Sequence, residues 1–198
     1  MKPVRVARLS RDERREQLVD AATEVFSRAD PAVVSLEELA DAAGVSRALI
    51  YEYFGDRNGL IEAVYLRKVH VLNEAVRVVL ASPTNRLERI RGAAQAHLDM
   101  ALADPNGYRV VAGGLPFPGL AALEQARVVA AAGLFEPSPN ATLIAQAAIT
   151  TIQSSISYWL VDQTVSASDL LDFIVDFISA GILGVRGREP SYAPLSAN

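Results

Sequence analysis

The 198-residue sequence predicts an all-α fold, with an N-terminal three-helix unit followed by a larger helical domain. Apolar residues recur every three or four positions through successive segments, which is the period of a helix face. Capping boxes, in which serine precedes an acidic residue by three positions, occur at Ser10, Ser35 and Ser166. No stretch alternates apolar and polar residues over a length that would predict a strand. These three observations define the fold class.

The first helix is predicted from about residue 11 to residue 28, where an Ala-Asp-Pro turn follows. Leu18, Ala22, Val25 and Phe26 lie at helical spacing and form its core face. The acidic residues Glu16, Asp20 and Glu24 fall on the outer face, so the helix is amphipathic.

The N-terminal arm is basic although the whole chain carries a net charge of −4. Residues 1–15 contain six basic residues against two acidic ones. An acidic chain is unusual for a general nucleic-acid binder, but a local basic arm can still contact phosphates. The alternative is a solvated basic tail that aids solubility. Beside the next two helices, we favour phosphate contact.

Residues 35–60 predict two short helices joined by a tight turn. Ser35 caps the first helix, and Gly44 stands where a helix ends in the left-handed conformation that costs glycine little. Ser46 caps the second helix, whose core side is Leu49, Ile50 and Phe54. The exposed side of this second helix is predicted to carry Arg47, Ala48, Tyr51 and Glu52. A cation, a small residue and an aromatic hydroxyl on one face suit a recognition helix in the major groove of DNA.

The pattern AxxAGVSxxxxYxYFxxRxxL, which ends at Leu60, resembles the DNA-binding signature of the TetR family of bacterial transcription regulators. The resemblance begins at the AATEVF segment of the first helix, residues 21–26. It implies a palindromic operator in double-stranded DNA, a homodimer, and release from DNA when a small effector binds. In this family a basic residue at the position of Arg57 meets the DNA backbone. The predicted DNA-binding residues are Ser35, Ser46, Arg47, Ala48, Tyr51, Tyr53 and Arg57.

The chain after Phe54 is predicted to form six further helices. Asp56 is the expected N-cap of a long helix that runs to about residue 80, although Gly59 costs it helix propensity. The remaining helices are predicted at 84–103, 108–112, 120–135, 140–164 and 167–186. We therefore expect a DNA-binding domain at 1–56, a ligand-binding and dimerisation domain at 57–187, and a frayed tail at 188–198.

The last two predicted helices have more apolar surface than one small domain needs. The first carries a stripe of small residues, which predicts close packing of another helix, and a second stripe of bulky ones. The small stripe is Ala141, Ala145, Ala148, Thr151 and Ser155, and the bulky stripe is Ile149, Ile152, Ile156 and Leu160. On the last helix, Phe173 and Phe177 lie opposite Asp172 and Asp176. A dimer that pairs these helices into a four-helix bundle would bury the excess; the alternative is a monomer covered by its own middle helices.

No pattern of a catalytic or metal site occurs in the sequence. Cysteine is absent, and His70 and His97 lack the spacing of metal ligands. P-loop, GxGxxG and GxSxG motifs are also absent. We therefore expect neither an enzyme nor a bound cofactor or metal. The uncharged stretch at 137–161 contains many small polar residues, so we interpret it as a buried helix rather than a membrane span.

The middle of the chain supplies candidate residues for a pocket that binds a mostly apolar effector. Aromatic and thioether side chains would line it, and two polar side chains would orient the ligand. The predicted ligand-binding residues are His97, Met100, Tyr108, Phe117, Phe135, Gln153, Tyr158 and Trp159. For any one of them, ordinary core packing is the alternative.

Two function classes follow from the sequence. The first is a cytoplasmic, ligand-responsive DNA-binding regulator, with repression as the expected action. The alternative is a helical protein-interaction module of the same fold that lacks specific DNA binding. The basic arm and the exposed Arg47 and Tyr51 favour the first class, while the neighbouring Glu52 could accept from a cytosine amino group or repel phosphate.

Overall fold

A computed structural model describes residues 9–112, 117–132 and 140–186. Every regular element in these ranges is a helix, so the predicted all-α class is confirmed. The helices are α1 Arg11–Arg28, α2 Leu36–Ala43, α3 Arg47–Phe54, α4 Arg57–Ala81, α5 Arg86–Ala103, α6 Pro105–Val111, α7 Leu120–Ala132, α8 Ala141–Trp159 and α9 Ala167–Arg186.

Side-chain caps fix where the N-terminal helices begin. Ser10 and Ser35 each make both hydrogen bonds of a capping box, and Ser46 accepts from the backbone N–H of Leu49 at 3.3 Å. Asp56 caps α4 through the N–H of Gly59 at 2.9 Å. These bonds satisfy amide groups that the first turn of a helix leaves unpaired. The predicted start of each of these helices therefore agrees with the structure.

Two helices have ends that differ from the sequence prediction. Helix α6 begins at Pro105, three residues before the predicted start at residue 108. Proline lacks an N–H and fits the first helical position, and Asp104 caps the helix. Helix α8 ends at Trp159 instead of residue 164. The Trp159 indole N–H donates to the carbonyl of Val165 at 2.8 Å, which holds the chain after the helix in a turn.

The buried apolar side chains form two clusters. The first joins α1, α2 and α3 to the N-terminal half of α4, and includes Phe26, Leu39, Ile50 and Val64. The second joins α5, α8 and α9. Helix α4 therefore belongs to the core of the N-terminal unit over its first turns, beyond the domain boundary expected at residue 56.

Helix α6 connects the two clusters. Val110 and Val111 lie in the first cluster and Tyr108 lies in the second. The Asn106 amide donates to the carbonyl of Ser27, near the end of α1, at 2.9 Å. The Lys68 ammonium of α4 and the Asp104 carboxylate at the start of α6 are 2.6 Å apart and mostly buried. A displacement of α6 would therefore disturb its contacts with both α1 and α4.

Within the described ranges, none of the helices is long and apolar enough to cross a membrane. The described part of the 137–161 stretch lies mainly in α8, whose Ile152 and Ile156 are buried against other helices.

Candidate DNA-binding surface and ligand cavity

Helix α3 packs one side against the core and presents the other to solvent. Ile50 is 1% exposed, whereas its neighbour Tyr51 is 53% exposed. Arg47, Ala48 and Glu52 are also exposed. The Arg47 guanidinium lies 4.0 Å from the Glu37 carboxylate of α2, with its side chain 62% exposed. The structure thus brings the predicted recognition residues together on one accessible face.

Two arginines of α1 lie beside this face, and both belong to the basic residues 1–15 for which phosphate contact was predicted. The guanidinium carbon of Arg11 is 5.7 Å from the ring centroid of Tyr53, and that of Arg15 is 5.3 Å from the ring of Phe54. Contacts of this kind stabilise a cation on an aromatic face. The signal in the sequence was the spacing of four residues, which puts both arginines on one side of α1. They extend the positive surface from α3 onto α1.

Arg57 holds the loop before α2 against the start of α4. Its Nε donates to the carbonyl of Val34 at 2.9 Å, and its terminal nitrogen donates to the carbonyl of Pro31. The DNA contact expected of Arg57 stays a prediction. The bonds that the structure gives it position the N-cap region of Ser35, a further predicted DNA-binding residue.

Gly59 is required by the close approach of α3 and α4. A Cβ atom at this position would lie 2.0 Å from the carbonyl oxygen of Phe54. Glycine lowers the helix propensity of α4 at this position, but the close packing leaves no room for a side chain. The first eight residues of the basic arm lie outside the described residues, and the phosphate contact of the arm also stays a prediction.

The predicted ligand-binding residues do not gather in one place. Phe117 packs against the ring of Tyr65, with centroids 5.3 Å apart, within the first core cluster. Gln153 donates to the carbonyl of Val111 at 3.2 Å. Tyr158 is exposed and Trp159 is buried, and both line a depression near the start of α9. Met100 is partly buried between the two core clusters, and Phe135 lies outside the described residues.

A cavity of about 350 Å³ lies between α4, α5, α7, α8 and α9. We call it the central cavity. Its volume is at the lower end of the range typical for small-molecule sites. Of the residues predicted to bind ligand, His97 lines it. The other lining residues are Asn73, Val76, Leu80, Thr84, Arg86, Arg89, Ile90, Ala93, Arg127, Ala131, Ala145, Ala148, Ile149, Ile152 and Ile178.

The small residues of α8 explain part of this space. Ala145 and Ala148 were expected to bring another helix close, but they form a wall of the central cavity. Their short side chains leave part of the space that the cavity occupies. A stripe of small residues is compatible with a close helix contact and with a cavity wall, because the sequence pattern does not fix the distance between helices.

His97 is a buried, neutral group at the wall of the central cavity. Its Nδ1 lies 3.0 Å from the Tyr108 hydroxyl of α6. Burial, and then the positive charge of Arg127, lower the pKa of His97 to about 3. Burial raises the pKa of Tyr108. Neither group is charged near neutral pH, so this end of the cavity offers hydrogen bonds from a neutral pair.

Large apolar side chains are exposed on the last two helices. On α9, Phe173 and Phe177 stack with ring centroids 5.9 Å apart, and both are more than half exposed. Leu183 of α9 and Leu143 of α8 are also exposed. Contiguous exposed apolar side chains of this size indicate an interaction surface.

The all-α fold, with a capped helix-turn-helix that presents Arg47 and Tyr51, defines a helix-turn-helix protein with an attached cavity-bearing domain. Residues 18–64 match the family model described as bacterial regulatory proteins, tetR family. The resemblance seen in the sequence is thus confirmed: the chain carries the N-terminal domain of the TetR family.

Curated relatives match about half of the chain. The HTH-type transcriptional activator FasR of Mycolicibacterium smegmatis is 40% identical over 104 residues, which are 52% of this chain and 48% of FasR. The HTH-type transcriptional regulator BetI of Yersinia pestis is 35% identical over 88 residues, 43% of this chain and 44% of BetI. The chain thus matches about half the length of these relatives.

Solved structures share the fold over most of the chain. A TetR-like regulator from Rhodococcus sp. RHA1 has a TM-score of 0.68 at 22% identity, covering 89% of this chain and 100% of that one. FadR from Bacillus subtilis, in complex with stearoyl-CoA, has a TM-score of 0.68 at 17% identity, covering 84% of this chain and 98% of that one. At these identities the likeness establishes the fold.

Proposed function

We propose that the protein is a dimeric, DNA-binding transcription regulator whose affinity for its operator changes when a small, largely apolar ligand binds in the central cavity. The observation that carries the proposal is the exposed face of α3, with Arg47, Ala48 and Tyr51, within a TetR-family N-terminal domain. An arginine can read guanine or contact phosphate, and a small neighbour allows close approach to the groove. Arg11 and Arg15 of α1 add cations beside it.

The exposed aromatic pair on α9 supports a dimer. A second copy that covers Phe173 and Phe177 with its own α8 and α9 would remove these rings from water and form a four-helix bundle. A two-fold dimer presents two copies of α3, which suits a palindromic operator with half-sites one helical turn apart.

Ligand response is supported by the central cavity and by the connections of α6. His97 at the cavity wall contacts Tyr108 of α6, and Asn106 of the same helix binds the end of α1 at Ser27. A ligand that displaces His97 would shift α6 and, through it, the N-terminal unit. FadR from Bacillus subtilis is described with stearoyl-CoA, and AibR with isovaleryl coenzyme A and operator DNA. Ligands with acyl chains fit the apolar wall of this cavity.

DNA binding is tested by selecting bound fragments from genomic DNA and measuring affinity by fluorescence anisotropy. We expect Arg47→Ala with Tyr51→Ala to weaken specific binding by about 1–3 kcal/mol for each side chain that touches a base or phosphate. Arg77→Ala, which removes an exposed arginine on α4, is the control and should bind normally. If no fragment is selected, or if the double variant binds as the native protein does, the interaction-module alternative is favoured.

The dimer is tested by light scattering. Phe177→Arg should yield a folded monomer, because Phe177 is 60% exposed in one subunit and its replacement leaves the subunit core intact. Val71→Arg, at an exposed apolar residue of α4, should leave the dimer unchanged. A native chain that is monomeric at micromolar concentration would contradict the proposal.

We propose repression, with release of DNA by the ligand, as the direction of regulation. A transcription assay on a template that carries a selected operator tests this direction. Repression predicts that added protein lowers transcription and that the ligand restores it. The relative FasR is named an activator, and increased transcription on adding the protein would assign the same direction to this chain.

A further inference from the structure

Two of the three arginines that line the central cavity lie where α5 begins. Thr84 precedes the helix, and Arg86 and Arg89 lie in its first turns. The lining also includes the apolar side chains of Ile90, Ile152 and Ile178. An apolar chamber with a pair of arginines at the start of α5 matches an amphipathic ligand rather than a wholly apolar one.

Polar atoms at this end are buried without a partner. Among the described residues, neither Nε of Arg89 nor Oγ1 of Thr84 has a hydrogen-bond partner, and both atoms are shielded from solvent. Arg91, two positions along α5, pairs with Asp172 at 2.6 Å and lies outside the cavity lining. A buried donor without an acceptor is costly, and native structures contain few of them. An acceptor supplied by a ligand would remove that cost.

The charge of the lining specifies an anion. Among the described residues that line the central cavity, three are arginines and none is acidic. Arg127, the third arginine, donates to the Tyr65 hydroxyl at 3.5 Å, while its charge acts on His97. Cations held in an apolar site are stabilised by a bound counter-charge, and a guanidinium binds carboxylate and phosphate oxygens with directed hydrogen bonds.

The size of the cavity limits the tail of the ligand. Arg89 and His97 are eight residues apart on α5, which corresponds to about 12 Å along the helix. The volume of about 350 Å³ holds roughly a dozen water-sized groups at about 30 Å³ each. A chain of about ten carbons therefore fills the chamber between the arginine end and the histidine end.

We propose that the ligand of the central cavity is an acyl amphiphile with an anionic head, and that Arg89 and Thr84 bind this head at the start of α5. The head is a carboxylate or a phosphate, since both present the oxygens that a guanidinium and a hydroxyl recognise. This inference rests on the proposed function for its biological meaning, but it concerns binding alone. It assigns the headgroup to Arg89, about 12 Å along α5 from His97, and to Thr84, which precedes the helix.

The test is calorimetric titration of the purified full chain, without DNA, with decanoate, decanol and decyl phosphate. The tails of the three probes have the same length and the heads differ. We expect at least one of the two anionic probes to bind about tenfold or more tightly than decanol, as charge-assisted hydrogen bonds predict. Decanoate binding assigns a carboxylate, and binding of decyl phosphate in preference to decanoate assigns a phosphate head. Equal affinity for decanol and both anions, or binding of neither anion, would overturn the proposal.

Two variants and one control localise the headgroup. Arg89→Gln should weaken binding of the preferred anion about tenfold and leave decanol within about twofold. Arg91→Gln removes an arginine of the same helix that lies outside the cavity lining, and it should change neither. Equal loss of the anion in both variants would mean a general charge effect and would refute the assignment to Arg89.

Thr84→Val provides a second reading if Arg89→Gln does not fold. Valine keeps the shape of threonine and removes the hydroxyl, so anion binding should weaken severalfold while decanol binding is retained. An unchanged anion affinity in a folded Thr84→Val variant would contradict the proposal. Since no DNA is present, failure of these titrations is separable from failure of operator binding, which is measured independently by anisotropy.

Discussion

The N-terminal unit and the central-cavity domain are both helical bundles, but α8 of the cavity domain begins without the local signal that starts the N-terminal helices. In the N-terminal unit, each helix start is set by a side chain one position before it, as Ser10, Ser35 and Ser46 show. In the cavity domain, side chains also cap α5, α6 and α9, whereas Asn140 precedes α8 and makes no side-chain capping bond within the described residues. The position of α8, which lines the cavity, therefore depends more on the helices that pack against it than on a local cap.

The N-terminal unit is also more completely packed than the cavity domain. Phe26, Leu39 and Ile50 are almost completely buried in the first core cluster. The cavity domain instead encloses about 350 Å³ and exposes Phe173 and Phe177. A tightly filled core suits a unit that must hold a recognition helix in one pose, whereas incomplete packing leaves room for a ligand and a partner.

A matched pair of isoleucines should separate the two regions most clearly. Ile50→Ala in the N-terminal core should lower the free energy of unfolding by about 3 kcal/mol, because it opens a cavity among buried side chains. Ile149→Ala, at the wall of the central cavity, should cost only about 1 kcal/mol because it already borders open space. Chemical denaturation measures both. Equal losses would mean that the two regions are packed alike.

The stability of the cavity domain should depend on pH through His97. Burial and the Arg127 charge lower the pKa of His97 to about 3 in the folded chain, against about 6.5 when unfolded. Between these values the unfolded chain binds the extra proton, so stability falls as pH decreases below about 6.5, by up to about 1.4 kcal/mol per pH unit. His97→Gln should flatten this dependence between about pH 7 and about pH 5.

The exposed His70 of α4 supplies the control. His70→Gln should preserve the slope, which is obtained from denaturant titrations at several pH values. A slope that His97→Gln leaves intact would assign the pH dependence to other groups and would remove the neutral His97–Tyr108 pair as its source.

Helix caps provide the smallest and most local comparison. Ser35→Ala should destabilise the chain by about 1 kcal/mol, because the backbone N–H of Glu38 loses its acceptor. Asn140→Ala should change stability by less than about 0.5 kcal/mol, since its side chain makes no capping bond. Thermal melts of the two variants measure the difference, and a larger effect at Asn140 would reverse the distinction between the two regions.

The contrast explains which features were predictable from the sequence. Ser35, Gly44 and Ser46 carry their structural meaning in local spacing, so the helix-turn-helix and its exposed Arg47 could be predicted. Arg89 and Thr84 carry no such local signal. Their significance depends on α8 and α9 enclosing the space beside them, and the alanines of α8 predicted a close helix contact as readily as a cavity. Trp159 was expected near the ligand, yet its indole is used to turn the chain after α8.

The close approach of Gly59 to Phe54 limits where the helix-turn-helix unit can be exchanged for that of another protein. The carbonyl of Phe54 leaves no room for a side chain at position 59, and Arg57 binds back to the loop before α2 at Val34. A chimera joined between α3 and α4 would therefore separate Gly59 from Phe54 and Arg57 from Val34, and would lose both contacts. The transferable helix-turn-helix module extends along α4 to Leu72, the last residue of that helix in the first core cluster. Fusion of other helix-turn-helix units to this cavity domain should succeed at junctions beyond that residue.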